Sequence, residues 1–190
     1  MTIKAIETLY AGTTFRSRLE ADYAATFDSI GMSWQYEPEG FELSDGTWYS
    51  PDFYLPNARA WCEVKGDHLE RVSKVHQFAA DLWEAAGQPN LDSPEAPCVV
   101  LATSPRRDFY DYDQPRFVGV RGPGKAYSIG LATCTNCQQT TFTAWSEYLC
   151  RSCGIRHDDS GEDVRRSWFW SICDHTLVKF VRLPRPAGRR

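Results

Sequence analysis

The run Cys98-Val-Val-Leu-Ala-Thr-Ser104 is apolar at almost every position. Successive side chains of a strand point to opposite faces, so a strand of this kind has to be covered on both sides. A chain that contains one needs a central sheet with apolar layers packed against it. Two segments have the period of such layers. In TTFRSRLEADYAATFDSIG, Phe15, Leu19, Tyr23 and Phe27 recur every four residues, and Ile30 follows three further on. This spacing predicts a helix from about Phe15 to Ile30, capped by Thr13 or Thr14 and stopped by Gly31. In GDHLERVSKVHQFAADLWEAAG, the residues Leu69, Val72, Val75, Ala79, Leu82 and Ala86 make an inner stripe. Asp67 and Glu70 form a capping-box pattern there, and Gly87 closes the helix.

Between the two helices lie three strand-like runs. SWQYEPEGFEL and TWYSPDFYL are rich in aromatics and split by the turn Ser44-Asp45-Gly46; RAWCEVK is reached through Pro56-Asn57-Ala58. With the apolar run at Cys98 the order is αβββαβ, an α/β fold with a mixed central sheet flanked by helices. PRRDFYDYDQPRFVGVRGPGKAY reads as a connection rich in Pro, Gly and charge. GEDVRRSWFWSI reads as a short helix with Trp168, Phe169 and Trp170 packing back on the body, followed by the basic tail RLPRPAGRR. The division expected is a core over 1–125, a small cysteine-bearing unit over 126–158, and a C-terminal helix and tail over 159–190.

No apolar run has the length of a membrane span, and MTIKAIETLY lacks a signal-peptide pattern, so a cytoplasmic protein with no membrane partner is expected. In that compartment seven cysteines read as thiols and metal ligands rather than disulfides. Charge is unevenly spread. Residues 1–100 carry seven Lys/Arg and sixteen Asp/Glu, a net −9, while residues 101–190 carry fourteen and nine, a net +5. Chemistry in an acidic front half and polyanion binding in a basic back half would give this split; two solvated halves would give it equally.

The stretch YSPDFYLPNARAWCEVKG carries Asp52 at one strand end and Glu63 and Lys65 two apart on the next strand. Strand alternation puts Glu63 and Lys65 on one face, with Cys62 and Val64 on the other. If the strands pair, Asp52 lies beside Glu63, and two close carboxylates repel unless a cation sits between them. Oxygen ligands favour a hard ion, Mg²⁺ or Mn²⁺, which can bind phosphate and lower the pKa of a water. Lysine beside it can position that water and offset phosphate charge. The bland alternative is an exposed hairpin with solvated or cross-paired charges.

Over roughly residues 14–103, RSRLEA, YEPEGFEL, YSPDFYLP and EVKG resemble the PD-(D/E)XK nuclease superfamily, with its restriction-endonuclease-like fold, and within it the phage-type and mobile-element members. The resemblance implies a Mg²⁺- or Mn²⁺-dependent nuclease acting on DNA in a bacterial host. It implies Asp52 and Glu63 as metal ligands, the Val64 carbonyl as a third and Lys65 as the catalytic lysine. Glu20 matches the first-helix acid that supports the metal in many members, or is a helix-surface partner of Arg16. Lys74 and Gln77 match positions that touch DNA in some members, or are a solvated helix face. A homodimer is left open.

Cys134-Thr-Asn-Cys137 and Cys150-Arg-Ser-Cys153 are two C-x-x-C pairs with twelve residues between them. Each pair can wrap a knuckle around one tetrahedral Zn²⁺, a closed and therefore structural site. The segment resembles a zinc ribbon, a module often used to grip nucleic acid. Its aromatics, with Arg151 and Arg156 in the ribbon and Arg165 and Arg166 beyond it, are candidate nucleic-acid contacts. Cys62, Cys98 and Cys173 read as small buried residues. The reading that follows is a metal-dependent DNA nuclease with a zinc ribbon as clamp. Its rivals are a non-catalytic zinc-ribbon module that binds nucleic acid or protein, and a small-molecule phosphohydrolase.

Overall fold

The computed structural model describes residues 5–66, 72–90, 93, 95–107, 113–121, 125–134, 136–144, 150–155 and 178–184. The strands are β1 (Thr8–Tyr10), β2 (Thr13–Phe15), β3 (Gln35–Tyr36), β4 (Phe41–Glu42), β5 (Trp48–Tyr49), β6 (Phe53–Leu55), β7 (Ala60–Val64), β8 (Cys98–Arg107), β9 (Asp113–Arg121), β10 (Lys125–Thr133) and β11 (Thr140–Ala144). The helices are α1 (Arg18–Ser29) and α2 (Ser73–Ala85). Among the described residues no helix is long and apolar enough to cross a membrane.

Seven strands form one mixed sheet in the order β11-β10-β9-β8-β7-β6-β3. β7 and β8 are parallel and bracket α2 in sequence, while the other neighbours are antiparallel. β8 is covered on both faces, as its composition requires. Cys98, Val100 and Ala102 pack in the core under α1 with Tyr23, Phe27 and Phe53, and Val99 and Leu101 pack under α2 with Val75 and Phe78. Two apolar layers on one sheet make the molecule a mixed α/β structure.

Helix α1 starts later than the apolar stripe suggests. Phe15 belongs to β2, and the cap is Ser17, whose Oγ accepts from the Glu20 amide at 3.2 Å. Ser17 competes better than Thr13 or Thr14 because Glu20 stands three residues on, a capping-box spacing. At the other end Gly31 has φ +68° and its amide reaches Asp28 O at 3.1 Å, while Met32 N reaches Phe27 O at 2.9 Å. This pair of bonds is a Schellman stop, for which a glycine is suited.

The two aromatic runs each break into two strands. β3 and β6 join the large sheet, while β4 and β5 form their own hairpin around Gly46. Pro38, Gly40 and Pro51 interrupt them, and Glu37 takes a left-handed φ of +43°. The region expected to be a connection holds all of β9, with the end of β8 and the start of β10, which pair with it on either side. Pro115 and Gly119 hid this strand. Gly119 is needed there, because a Cβ would lie 2.2 Å from the ring of Tyr127, its cross-strand partner.

The sheet continues across residue 125, since β10 pairs with β9 on one side and with β11 on the other. Leu131 and Phe142 of this hairpin enter the same core as α1. Residues 178–184 run along α1 without regular structure. Phe180 packs edge-on against Tyr23 at 5.0 Å, Val181 N donates to Thr26 Oγ1 at 2.9 Å, and Leu183 N donates to Asp22 Oδ1 at 2.8 Å. The start of the basic tail is thus docked. The helix expected around Trp168, together with Arg156, Arg165, Arg166 and Cys173, lies outside the described residues.

Candidate functional site

β6 and β7 pair with Phe53 opposite Cys62. One step outward along this antiparallel register sets Asp52 opposite Glu63. The Asp52 carboxylate turns back onto β7, and Oδ2 accepts from the Val64 amide at 2.7 Å. Lys65 Nζ lies 2.5 Å from Glu63 Oε1, so the strand parity holds. Asp52 is 3% exposed and Glu63 6%. Burial is the main force pushing the Asp52 carboxyl well above its ordinary value; Glu63 and then Glu20 push it further, and the Val64 amide and Arg16 pull it back.

Glu20 is also buried, at 8%. Its Oε1 accepts from Ser17 Oγ at 2.7 Å and its Oε2 from Tyr36 OH at 2.6 Å. It is not the surface partner of Arg16. Arg16 Nη2 lies 2.7 Å from Asp52 Oδ1 and 2.5 Å from Glu37 Oε1. Glu63 Oε2 accepts from Tyr49 OH at 2.8 Å, a phenol whose own pKa is raised by burial and by this carboxylate. Arg16, Ser17, Tyr36 and Tyr49 therefore belong to the site, and sequence reasoning missed all four. The tyrosines read as core aromatics, and only the hydroxyl of each reaches the acids.

Lys74 and Gln77 brace α2 against the β4–β5 hairpin. Lys74 Nζ donates to Trp48 O at 3.2 Å; Gln77 Nε2 donates to Ser44 Oγ at 2.6 Å and to Asp81 Oδ1 at 2.8 Å. Those bonds give both side chains a structural task that the solvated-face reading lacked.

The four cysteines converge. Their sulfurs all lie within 4.8 Å of one another, with Cys134 to Cys153 at 3.9 Å and Cys137 to Cys150 at 3.7 Å. Four thiolates about 2.3 Å from one tetrahedral ion stand about 3.8 Å apart, while a disulfide closes to about 2.05 Å. The cluster is therefore compatible with a structural zinc site and not with disulfides. The two knuckles repeat one backbone design: Gln138 N returns to Cys134 O and Gly154 N to Cys150 O, both at 2.8 Å. Gln138 at φ +58° and Gly154 at +74° make the left-handed step that each turn needs. Burial raises the Cys134 and Cys150 thiols, while the Ile155 amide pulls exposed Cys153 down to about 7.

Arg151, read as a nucleic-acid contact, is 4% exposed and its Nη1 donates to Ala96 O at 2.7 Å. It locks the second knuckle to the segment before β8. Ser152 Oγ donates to Asn57 O, and Asn57 Nδ2 to Gln139 Oε1, so both knuckles also rest on the turn between β6 and β7. That turn joins the strands next to Asp52 and carrying Glu63. Among the described residues the cysteines are the one group of three or more metal-ligating side chains found close enough to share an ion.

Fold and site define a mixed α/β chain with a four-cysteine cluster and a separate buried acidic centre. A scan against protein-family models finds no match, and searches of curated proteins and of solved structures find none either.

Proposed function

We propose that this chain is a metal-dependent DNA nuclease of the PD-(D/E)XK type, with Mg²⁺ or Mn²⁺ at Asp52 and Glu63 and Zn²⁺ at Cys134, Cys137, Cys150 and Cys153. The observation that carries the reading is Asp52 set beside Glu63 across β6–β7, with Lys65 on the same carboxylate. Two buried acids set side by side, with Glu63 helping to push the Asp52 carboxyl above its ordinary value, are a donor set that a hard cation relieves. Such an ion, when bound, would offset the charge of a phosphodiester and lower the pKa of an attacking water.

The chain's own residues do the rest. Tyr49 fixes Glu63, the Val64 amide fixes Asp52, and the Val64 carbonyl is the third ligand that the family resemblance implies. Lys65 places the water and takes up phosphate charge as the P–O bond to water forms and the bond to the bridging oxygen breaks, that oxygen leaving with a proton. Ser17 and Tyr36 hold Glu20 behind the centre, where it supports the ligands at one remove. The cysteine cluster braces the hairpin turn through Asn57 and leaves DNA contact to Arg156, Arg165 and Arg166.

The test is cleavage of linear, nicked, branched and single-stranded DNA with Mg²⁺, Mn²⁺ or chelator. Divalent-dependent cutting of at least one DNA form, lost in Glu63→Gln, is the expected result. No cutting of any form, with metal-dependent hydrolysis of a small phosphate ester, would move the assignment to the phosphohydrolase reading.

A further inference from the structure

Every carboxylate oxygen of Glu20, Asp52 and Glu63 has a protein partner. Four partners are neutral: Ser17 Oγ, Tyr36 OH, the Val64 amide and Tyr49 OH. Two are cations, Arg16 on Asp52 Oδ1 and Lys65 on Glu63 Oε1. A neutral donor is compatible with a divalent ion on the other oxygen of its carboxylate. A cationic donor competes with that ion for the same oxygen. The oxygens open to exchange are therefore Asp52 Oδ1 and Glu63 Oε1.

Lys65 has a role in the reading above, and Arg16 has none. Its side chain is 60% exposed, while that of Asp52 is 4% exposed. Its backbone is fixed, because the Arg16 amide donates to Tyr36 OH at 3.1 Å just before the Ser17 cap. The guanidinium is thus a charged head on a short arm, rooted in the site and reaching its solvent side. Glu37 stands against the nitrogen that meets Asp52, its buried Oε1 2.5 Å from Arg16 Nη2.

We infer that Arg16 is an exchange residue for the proposed nuclease. It is the counter-ion of Asp52 in the ion-free protein, and it binds the phosphate backbone of the DNA when a divalent ion takes Asp52 Oδ1. The guanidinium meets both carboxylates here through Nη2 alone, and its planar fork can bind two phosphate oxygens. Glu37, which is not a ligand, keeps the freed head at the mouth of the site. The inference rests on the nuclease reading.

Exchange makes two affinities move in opposite directions. Without Arg16 the ion meets no competitor, so metal binds more tightly. The DNA then has one cationic partner fewer, so it binds more weakly. A residue that served the fold alone would weaken both.

Arg16→Gln and Arg16→Lys test this in the full chain. Mn²⁺ is titrated by calorimetry without DNA, and a labelled DNA that the wild type cuts is then titrated with Ca²⁺ in place of Mn²⁺ to hold cutting back. Arg16→Gln is expected to tighten Mn²⁺ several-fold and to weaken DNA about tenfold, the size of one charge-assisted contact, with the salt slope lower by about one. Arg16→Lys, which keeps the charge but not the fork, moves in the same directions by less and stands in if Arg16→Gln does not fold. Unchanged or weaker Mn²⁺ binding, or unchanged DNA binding, overturns the inference while wild-type cutting leaves the nuclease reading intact. A wild type that neither binds Mn²⁺ nor cuts overturns both.

Discussion

The amide of Val64 donates to Asp52 Oδ2 at 2.7 Å, from the end of one strand to the residue just before its neighbour. This bond fixes the rotamer of Asp52 at the point where the strand register already sets it opposite Glu63. It also leaves Oδ1 facing the cationic side of the site, where Arg16 stands. The acidic centre is a consequence of hairpin register, and the side chains that tune it come from β2–α1, β3 and β5.

Tyr49→Phe should expose the dependence of Glu63 on its phenol. The change keeps the ring in its place against Phe78, 5.1 Å away, and removes one buried hydrogen bond. A buried acceptor left without its donor costs about 1–3 kcal/mol, so the metal-free protein should be less stable by roughly that amount. Denaturant unfolding of the two proteins measures it. The same variant should bind Mn²⁺ more weakly, because Glu63 is no longer held. Equal stability and equal Mn²⁺ affinity would remove Tyr49 from the site.

Elemental analysis should find one zinc per chain, and Cys150→Ser should lose it. Because the knuckles rest on Asn57 and Ala96, losing the metal should also loosen the β6–β7 turn. Hydrogen exchange at residues 56–60 reads this directly: faster exchange in Cys150→Ser is expected, and unchanged exchange there would mean that the cluster braces nothing beyond itself.

Arg151 and the arginines beyond it should separate cleanly. Arg151→Ala removes a buried guanidinium and leaves Ala96 O without its charged donor, a cost of about 1.5–3 kcal/mol in stability. It should leave the salt dependence of DNA binding as it was. Replacing Arg156, Arg165 and Arg166 together should lower the log–log salt slope by about one unit for each phosphate that is no longer neutralised. Fluorescence anisotropy across a salt series compares the two, and a flattened slope in Arg151→Ala alone would contradict its structural assignment.

Phe180→Ala should destabilise the protein by about 3–5 kcal/mol, since it empties a site against Tyr23 in the α1 core. Thermal unfolding measures this. A drop of less than about 1 kcal/mol, well below the range for emptying a packed aromatic site, would mean that the 178–184 segment is not part of the folded core.

The sequence was most legible where one physical demand dominates. The two-faced burial of β8, the Gly31 stop and the knuckle spacing each follow from side-chain chemistry within a few residues. It was least legible where the deciding partner is distant. Nothing near Arg151 tells a buried arginine from a DNA-facing one; Ala96, 55 residues away, decides it. Tyr36 and Tyr49 carry one polar atom on an apolar ring, so their strands predict burial and not the acid each hydroxyl meets. Thr13 and Thr14 stood in for Ser17 as the cap because Phe15 continued the helical stripe from inside β2. β9 was hidden because Pro115 and Gly119 read as loop, although Tyr127 covers the glycine from the next strand.

The central claim, that Asp52 and Glu63 run metal-dependent phosphodiester hydrolysis, meets its most direct test in the single-turnover cleavage rate of Asp52→Ala at saturating DNA and saturating Mg²⁺. The account predicts DNA binding close to that of the wild type and a cleavage rate lower by about a thousandfold or more, as when a charge-stabilising ion is removed from a transition state. A rate equal to that of the wild type, or a wild-type rate that chelator leaves unchanged, would contradict it.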